Sequence, residues 1–248
     1  MVSRILKRGV TAGAVVLGAE AAYAVLRPAP KQVEFDPSGT FGDAHLPPMR
    51  VAVMGDSSVT APGVSGPEEI WVSRVCAHLA ETRHVTLQSF AVSGSRAADL
   101  LENQLEPTLA FAPDLVIVSI GANDAIKGVS LRTFEGQLDE LIGVLVETDA
   151  LVVMSGVGDL GTIPRLYPPL RNMMTRRSAR FDRVHHLVAG RYGAHVVEHR
   201  SDNPGIWYSD RGLWSADLFH VSAAGHERWA NVTWRTLEPL LGVRRGPD

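Results

Sequence analysis

Arg50-Val51-Ala52-Val53-Met54-Gly55-Asp56-Ser57-Ser58 is the stretch that decides the fold. Its apolar run reads as a buried strand that stops at a glycine, followed by an acid and two serines. In an open α/β sheet, ligands bind just beyond the carboxyl ends of the strands. A serine on that exit turn can point its hydroxyl into the crevice. The same residues also suit a plainer role, since Asp56 or Ser57 can cap a following helix. Taken alone, the stretch leaves both roles open.

Two later stretches bear on the choice. Val116-Ile117-Val118-Ser119-Ile120-Gly121-Ala122-Asn123-Asp124 repeats the form of apolar strand, glycine and polar residues, and Asp217-Leu218-Phe219-His220 follows near the carboxyl terminus. Around them, strands and helices alternate. Apolar periodicity predicts strands over 50–54, 85–92, 115–120, 151–155 and 194–197. It predicts helices over 68–81, 96–106, 131–147, 170–191 and 223–240, with Pro107 beyond the end of the second. Repeated βα units imply a parallel sheet covered on both faces.

The chain of 248 residues is long enough for one domain with a full core. A net charge of −3 carries no electrostatic footprint of a nucleic-acid partner. The single cysteine, Cys76, excludes an intrachain disulfide. It falls on an amphipathic pattern, where a buried structural thiol is expected rather than a nucleophile.

Arg4, Lys7 and Arg8 precede an apolar run from Gly9 to Leu26 that only Glu20 interrupts. Residues 1–26 therefore read as a signal peptide or membrane anchor, with Ala22-Tyr23-Ala24 as a cleavage site. This places the rest of the chain outside the cytoplasm, in contact with a membrane through the segment. A helix packed on a cytoplasmic domain is the alternative. Residues 27–48 hold Pro28, Pro30, Pro37, Pro47 and Pro48 and read as an extended linker. The domain is expected over 49–242, followed by a tail over 243–248.

Two motifs are set aside. Gly156-Val157-Gly158-Asp159-Leu160-Gly161 fits GxGxxG after a strand. A dinucleotide site also needs a helix to open there, and Pro164, Pro168 and Pro169 oppose one. An acid ending a strand about 20 residues on is also required, and Asp182 falls inside a helical pattern instead. The stretch reads as an exit loop at the rim of the site. His185, His186, His195 and His199 show no recognisable metal-ligand spacing and read as surface or packing histidines.

With the isolated Gly94, the blocks Gly55-Asp56-Ser57, Gly121-Ala122-Asn123-Asp124 and Asp217-Leu218-Phe219-His220 stand in the order found in SGNH (GDSL-type) hydrolases, which the chain resembles over 49–241. Ser58 departs from the usual Leu or Ile. The resemblance implies a three-layer α/β/α sandwich with flavodoxin-like strand order 2-1-3-4-5. It implies a serine esterase needing neither cofactor nor metal. Ser57 would be the nucleophile, His220 its base and Asp217 the group orienting His220. The backbone N–H groups of Ser57 and Gly94 and the Asn123 amide would hold the oxyanion. The family pattern alone selects Ser57 over Ser58. The GxSxG elbow of α/β-hydrolases is absent. Asp56 and Asp124 are expected to shape turns, and His226 to lie outside the site.

Trp207, Tyr208 and Trp214 crowd an irregular loop before the last block. They suit an acyl chain or sugar face, and equally suit anchoring that loop to the core. The Tyr167-Pro168-Pro169 turn is expected to face them. Three functions remain in play: an esterase acting on lipid esters or O-acyl glycans, an acyltransferase using the same groups, and a non-catalytic binding module. An intact triad speaks against the third.

Overall fold

The structure, a computed structural model, describes residues 26–30 and 32–242, together with Gly18, Glu20 and Tyr23. Most of the segment read as a signal or anchor, and the tail 243–248, lie outside the described residues.

The chain enters the sheet at β1 (Gly39–Phe41) and crosses to β2 (Pro48–Gly55), which leads into the short helix α1 (Ser57–Thr60). Helix α2 (Trp71–Leu79) returns to β3 (His84–Ser89). Then come α3 (Ala97–Asp99), a widened turn over Leu100–Gln104, α4 (Leu105–Phe111) and β4 (Leu115–Ser119). Helices α5 (Ala122–Ile126) and α6 (Leu131–Leu145) precede β5 (Leu151–Ser155). Helix α7 (Leu170–Tyr192), β6 (His195–Val197), α8 (Pro204–Ser209) and α9 (Ala223–Leu240) complete it.

The sheet order is β1-β3-β2-β4-β5-β6. From β3 to β6 every neighbour is parallel, and these strands follow the expected order 2-1-3-4-5. Only β1 is antiparallel, pairing Gly39 with Leu87 at the edge. Part of the stretch expected as a linker thus belongs to the sheet, and Phe35 and Phe41 pack on the core. Proline content signalled an extended chain, and an edge strand is also extended.

Side-chain alternation divides the core into two layers. Ala52, Met54, Val116, Val118, Val152 and Met154 face α6 and α7. Val51, Val53, Leu115, Ile117 and Val153 face α2 and α9. Strands buried on both faces read as continuous apolar runs, which is why the sequence located them. Cys76 is buried in the second layer, and burial pushes its thiol pKa up.

The helix before β4 differs from expectation because it continues through Pro107. Proline lacks an N–H, and its ring crowds the carbonyl four residues back. The preceding turn is widened, with Leu105 N–H donating to the Leu100 carbonyl five residues back. This gives the ring room without ending the helix.

The described N-terminal residues Glu20, Tyr23 and Arg27 meet the domain around Arg165–Leu170. Glu20 accepts from Leu170 N–H at 3.0 Å, so it caps α7, whose own N-cap residue, Pro169, supplies no side-chain bond. Tyr23 lies 6.2 Å from Tyr167, centroid to centroid, and Arg165 donates to the Arg27 carbonyl. A chain starting at Val33 loses these contacts and keeps β1, so its thermal midpoint should fall by no more than about 4 °C, the equivalent of one cap. A chain starting at Met49 also loses β1, Phe35 and Phe41 and should fall further, by roughly 5–10 °C. Thermal melts of the two shortened chains check both; equal midpoints would mean β1 adds nothing.

Candidate active site

The register aligns Gly55, Ser119 and Ser155 across β2, β4 and β5 at the carboxyl edge of the sheet. Small residues in this row leave a cavity of about 140 Å³ above the strand ends. Ser57, Asn123 and His220 all line it.

Gly55 fixes the first turn. A Cβ there would lie 2.7 Å from the Ser119 carbonyl oxygen, too close for any other residue. The buried Gln104 amide accepts from Gly55 N–H at 2.9 Å and donates to its carbonyl at 3.0 Å. The strand end is thereby held on both sides. Asp56 then caps α1 by accepting from Ser58 N–H, and Ser57 takes the first helical position beside the cavity. Ser58 lines the cavity as well, with its hydroxyl 2.7 Å from that of Ser119.

The Asp217 block sits on a loop closed by an antiparallel bridge between Trp214 and Val221. Leu218 is left-handed at φ +59°, which costs about 1–2 kcal/mol for a non-glycine residue. Asp217 offsets this by accepting from Phe219 N–H, His220 N–H and the Ser215 hydroxyl through one oxygen. Its other oxygen meets His220 Nδ1 at 2.6 Å. Burial opposes ionisation of Asp217. The donors from His220, Ser215 and Phe219 outweigh it, and the carboxyl is held well below the usual range. Buried Arg165 bonds the Asp217 carbonyl at 2.6 Å and anchors the loop from below.

Asn123 lies in the first turn of α5, which Gly121 precedes, and its amide donates to Asp56 Oδ2 at 2.9 Å. Asp124 is turned inward and accepts from Ala97 N–H, the structural role expected for it. Gly94 has φ +81°, and its carbonyl accepts from the Lys127 ammonium. It is not among the cavity-lining residues, unlike Ser57 and Asn123.

The aromatics divide. Trp207 and Trp214 line the cavity. Tyr208 points elsewhere, bonding Asp159 and Thr175. Their loop is not irregular but folds as α8 and a short 3₁₀ turn over Arg211–Leu213. Tyr167 is half exposed and does not reach the cavity. The glycine-rich loop does line the rim, and its N–H groups at Val157 and Gly158 are spent on the Asp182 carboxylate. Arg200 completes this brace by pairing with Asp182 at 2.7 Å.

His226 corrects the sequence reading, because it lines the cavity wall from within α9. His199 lines it too, with Nε2 2.9 Å from the Ser155 hydroxyl. The helical pattern over 223–240 puts His226 on a helix and carries no sign of which way that position faces. Burial lowers the pKa of His199 to about 4 and that of His226 to about 3. Burial raises Asp124 to about 6. Among the described residues no cluster of His, Cys, Asp or Glu could hold a metal ion. No helix of the described residues is long and apolar enough to cross a membrane.

The model of the GDSL-like Lipase/Acylhydrolase family matches residues 53–228. A GDSL-like esterase of Mycobacterium tuberculosis is 26% identical over 204 residues, 80% of this chain and 63% of that protein. This chain thus spans less than two-thirds of that relative's length. Esterase TesA of Pseudomonas aeruginosa is 25% identical over 190 residues, 76% of this chain and 88% of that protein. A crystal structure of TesA superposes with a TM-score of 0.64 at 26% identity, covering 77% of this chain and 99% of the other.

The buried histidines predict how stability depends on pH. An unfolded histidine binds a proton below about pH 6.5, whereas His199 does so only near pH 4. Between these values the unfolded state holds more protons, so this site's contribution falls as pH falls. Asp124 works in the opposite sense, because its folded pKa lies above the unfolded one near 3.9. A His199→Gln variant isolates the histidine. The stability gap between wild type and variant, measured by urea unfolding, should shrink by on the order of 1 kcal/mol per pH unit from pH 6.5 to 4.5. A gap independent of pH would mean that His199 titrates normally.

Proposed function

Because this chain belongs to the GDSL-like lipase/acylhydrolase family, we propose that it is a carboxylic ester hydrolase working through an acyl-enzyme on Ser57. The observation that carries this reading is the His220–Asp217 pair, 2.6 Å apart, sharing one cavity with Ser57 and Asn123.

Serine is a weak nucleophile until a base takes its proton. His220 Nδ1 is engaged by Asp217, which leaves Nε2 to accept the Ser57 proton. The Ser57 oxygen attacks the ester carbonyl, and the carbonyl π electrons move onto oxygen. That oxyanion is held by the Ser57 N–H and the Asn123 amide, the two donors that line the cavity. His220 returns the proton to the leaving alcohol as the C–O bond breaks. Water then attacks the acyl-enzyme with His220 again as base, releasing the acid and restoring Ser57. Asp217 is suited to stabilise the imidazolium in both steps because its donors keep it ionised.

Ile120, Val157, Leu160, Trp214 and Phe219 give the cavity an apolar wall. With a volume of about 140 Å³ it suits a short acyl group, as on an O-acylated glycan or a short-chain lipid ester. Transfer to an alcohol in place of water needs the same groups and is an arm of the test. Export through residues 1–26 rests on the basic flank and apolar run in the sequence.

Nitrophenyl esters of increasing chain length test the reading. Hydrolysis should be fastest for short acyl groups. Ser57→Ala should abolish it, together with labelling by a fluorophosphonate. Ser58→Ala should keep both. Labelling that survives in Ser57→Ala and is lost in Ser58→Ala would move the nucleophile to the neighbour. A product ratio dominated by transfer to added alcohol would replace hydrolase by acyltransferase.

A further inference from the structure

We propose that Asp56 is a positioning residue for the oxyanion donor: it fixes which end of the Asn123 amide faces the reacting carbonyl. The inference rests on the acyl-enzyme reading above and deepens it.

Asp56 stands directly before the nucleophile and is only 2% exposed. Its two oxygens have separate duties. Oδ1 accepts from Ser58 N–H at 2.9 Å and caps α1. Oδ2 accepts from Asn123 Nδ2 at 2.9 Å, joining the exit turn of β2 to that of β4. The capping duty needs only one acceptor, and Ser, Thr or Asn would serve. The second oxygen is what the cap does not explain.

An amide can hold a developing oxyanion only with its NH2 end, since its carbonyl end repels negative charge. The two ends have nearly the same size, so sterics cannot choose between them. A carboxylate accepts and does not donate. With Oδ2 against Asn123, only the NH2 end is tolerated there, and an amide nitrogen has two hydrogens. One goes to Asp56, and the other is left for the cavity that Asn123 lines. Burial of Asp56 is costly for its charge, because desolvation raises its pKa, with bonds from Ser58 and Asn123 and the nearby His220 acting against it. A neutral residue would cap α1 without that cost. Retaining an acid here makes sense if the acceptor-only character is needed.

The experiment is a double-mutant cycle read by kcat, KM and thermal midpoint. In Asp56→Asn, the new Oδ1 keeps the Ser58 cap and the new NH2 meets Asn123. Asn123 then turns its carbonyl oxygen towards both residue 56 and the oxyanion. We expect kcat to fall on the order of 10²-fold, with KM changing little and the midpoint staying close to wild type, because Asn and Asp cap equally well. Inhibition by a short alkylboronic acid, which forms a tetrahedral adduct on the serine, should weaken by a similar factor. Asp56→Ser is the second variant, since serine caps but is too short to reach Asn123; it should lower kcat in the same way. In an Asn123→Ala background, Asp56→Asn should cost less than about threefold more, because residues acting as a unit are not additive.

Full additivity in the cycle would overturn the proposal and assign Asp56 to His220 or to the backbone. So would a lowered midpoint with normal kcat in the folded fraction. The two levels of the argument fail separately. Persistent activity in Ser57→Ala would reject the acyl-enzyme reading itself. An inactive Ser57→Ala with a fully active Asp56→Asn would reject only the role given to Asp56.

Discussion

The site depends on the way the Gln104 side chain grips Gly55. A primary amide offers an acceptor and a donor on one plane, and Gly55 presents the complementary pair on its backbone. At the end of a strand the ladder runs out, and backbone groups must find partners elsewhere. Here they find the buried Gln104 amide, and the Gly55 carbonyl also accepts from Val92 N–H at 3.1 Å. The next residues, Asp56 and Ser57, are therefore delivered from a fixed point rather than from a loose end. The Ser119 carbonyl, 2.7 Å from where a Cβ on Gly55 would lie, leaves the strand end no space to shift.

From that point the polar groups divide into those that hold backbone and those that meet solvent. Asp182 gathers the N–H groups of the glycine-rich rim, Asp217 those of the His220 loop, and Asp56 that of Ser58. Each carboxylate thus organises a turn whose carbonyls and amides would otherwise point at random. The loops around the cavity are irregular in path but densely bonded. They suit a site that must bring together residues from the ends of β2 and β4 and from the loop before α9.

The strands were legible because a doubly covered sheet demands unbroken apolar runs, as at Val51–Met54 and Leu115–Val118. The helix over 223–240 was legible to the residue through its apolar period, and the Ser222 cap fixes where it starts. Ser57, Asn123, Asp217 and His220 stood out because each follows a strand end or shares a short block with a partner. Gln104 did not. Its role is a contact across 49 residues, and no local pattern marks it apart from any other helical glutamine. His226 and His199 were visible as residues but not as cavity wall, since periodicity gives burial and not what lies on the other side. The edge strand β1 escaped because Gly39-Thr40-Phe41 holds a single large apolar residue inside a proline-rich stretch. Tyr208 was placed with the tryptophans on composition, whereas its hydroxyl is drawn to Asp159.

The widened turn between Leu100 and Leu105 has a consequence for the spacing of the chain. Counted around the helix axis, it holds one residue more than a regular helix would use to cover the same arc. Each residue of a regular helix advances by about 100°. The extra residue therefore acts as a phase shift between the two halves of the helix. The half before it presents Ala97 to Asp124, while the half after it sets Pro107 and Thr108 in their own register. Gln104 sits at the seam. A change of one residue in length anywhere in this turn would swing Gln104 off Gly55 while leaving the composition of the helix almost untouched. Length, and not only residue type, is thus under constraint in a segment that touches no substrate.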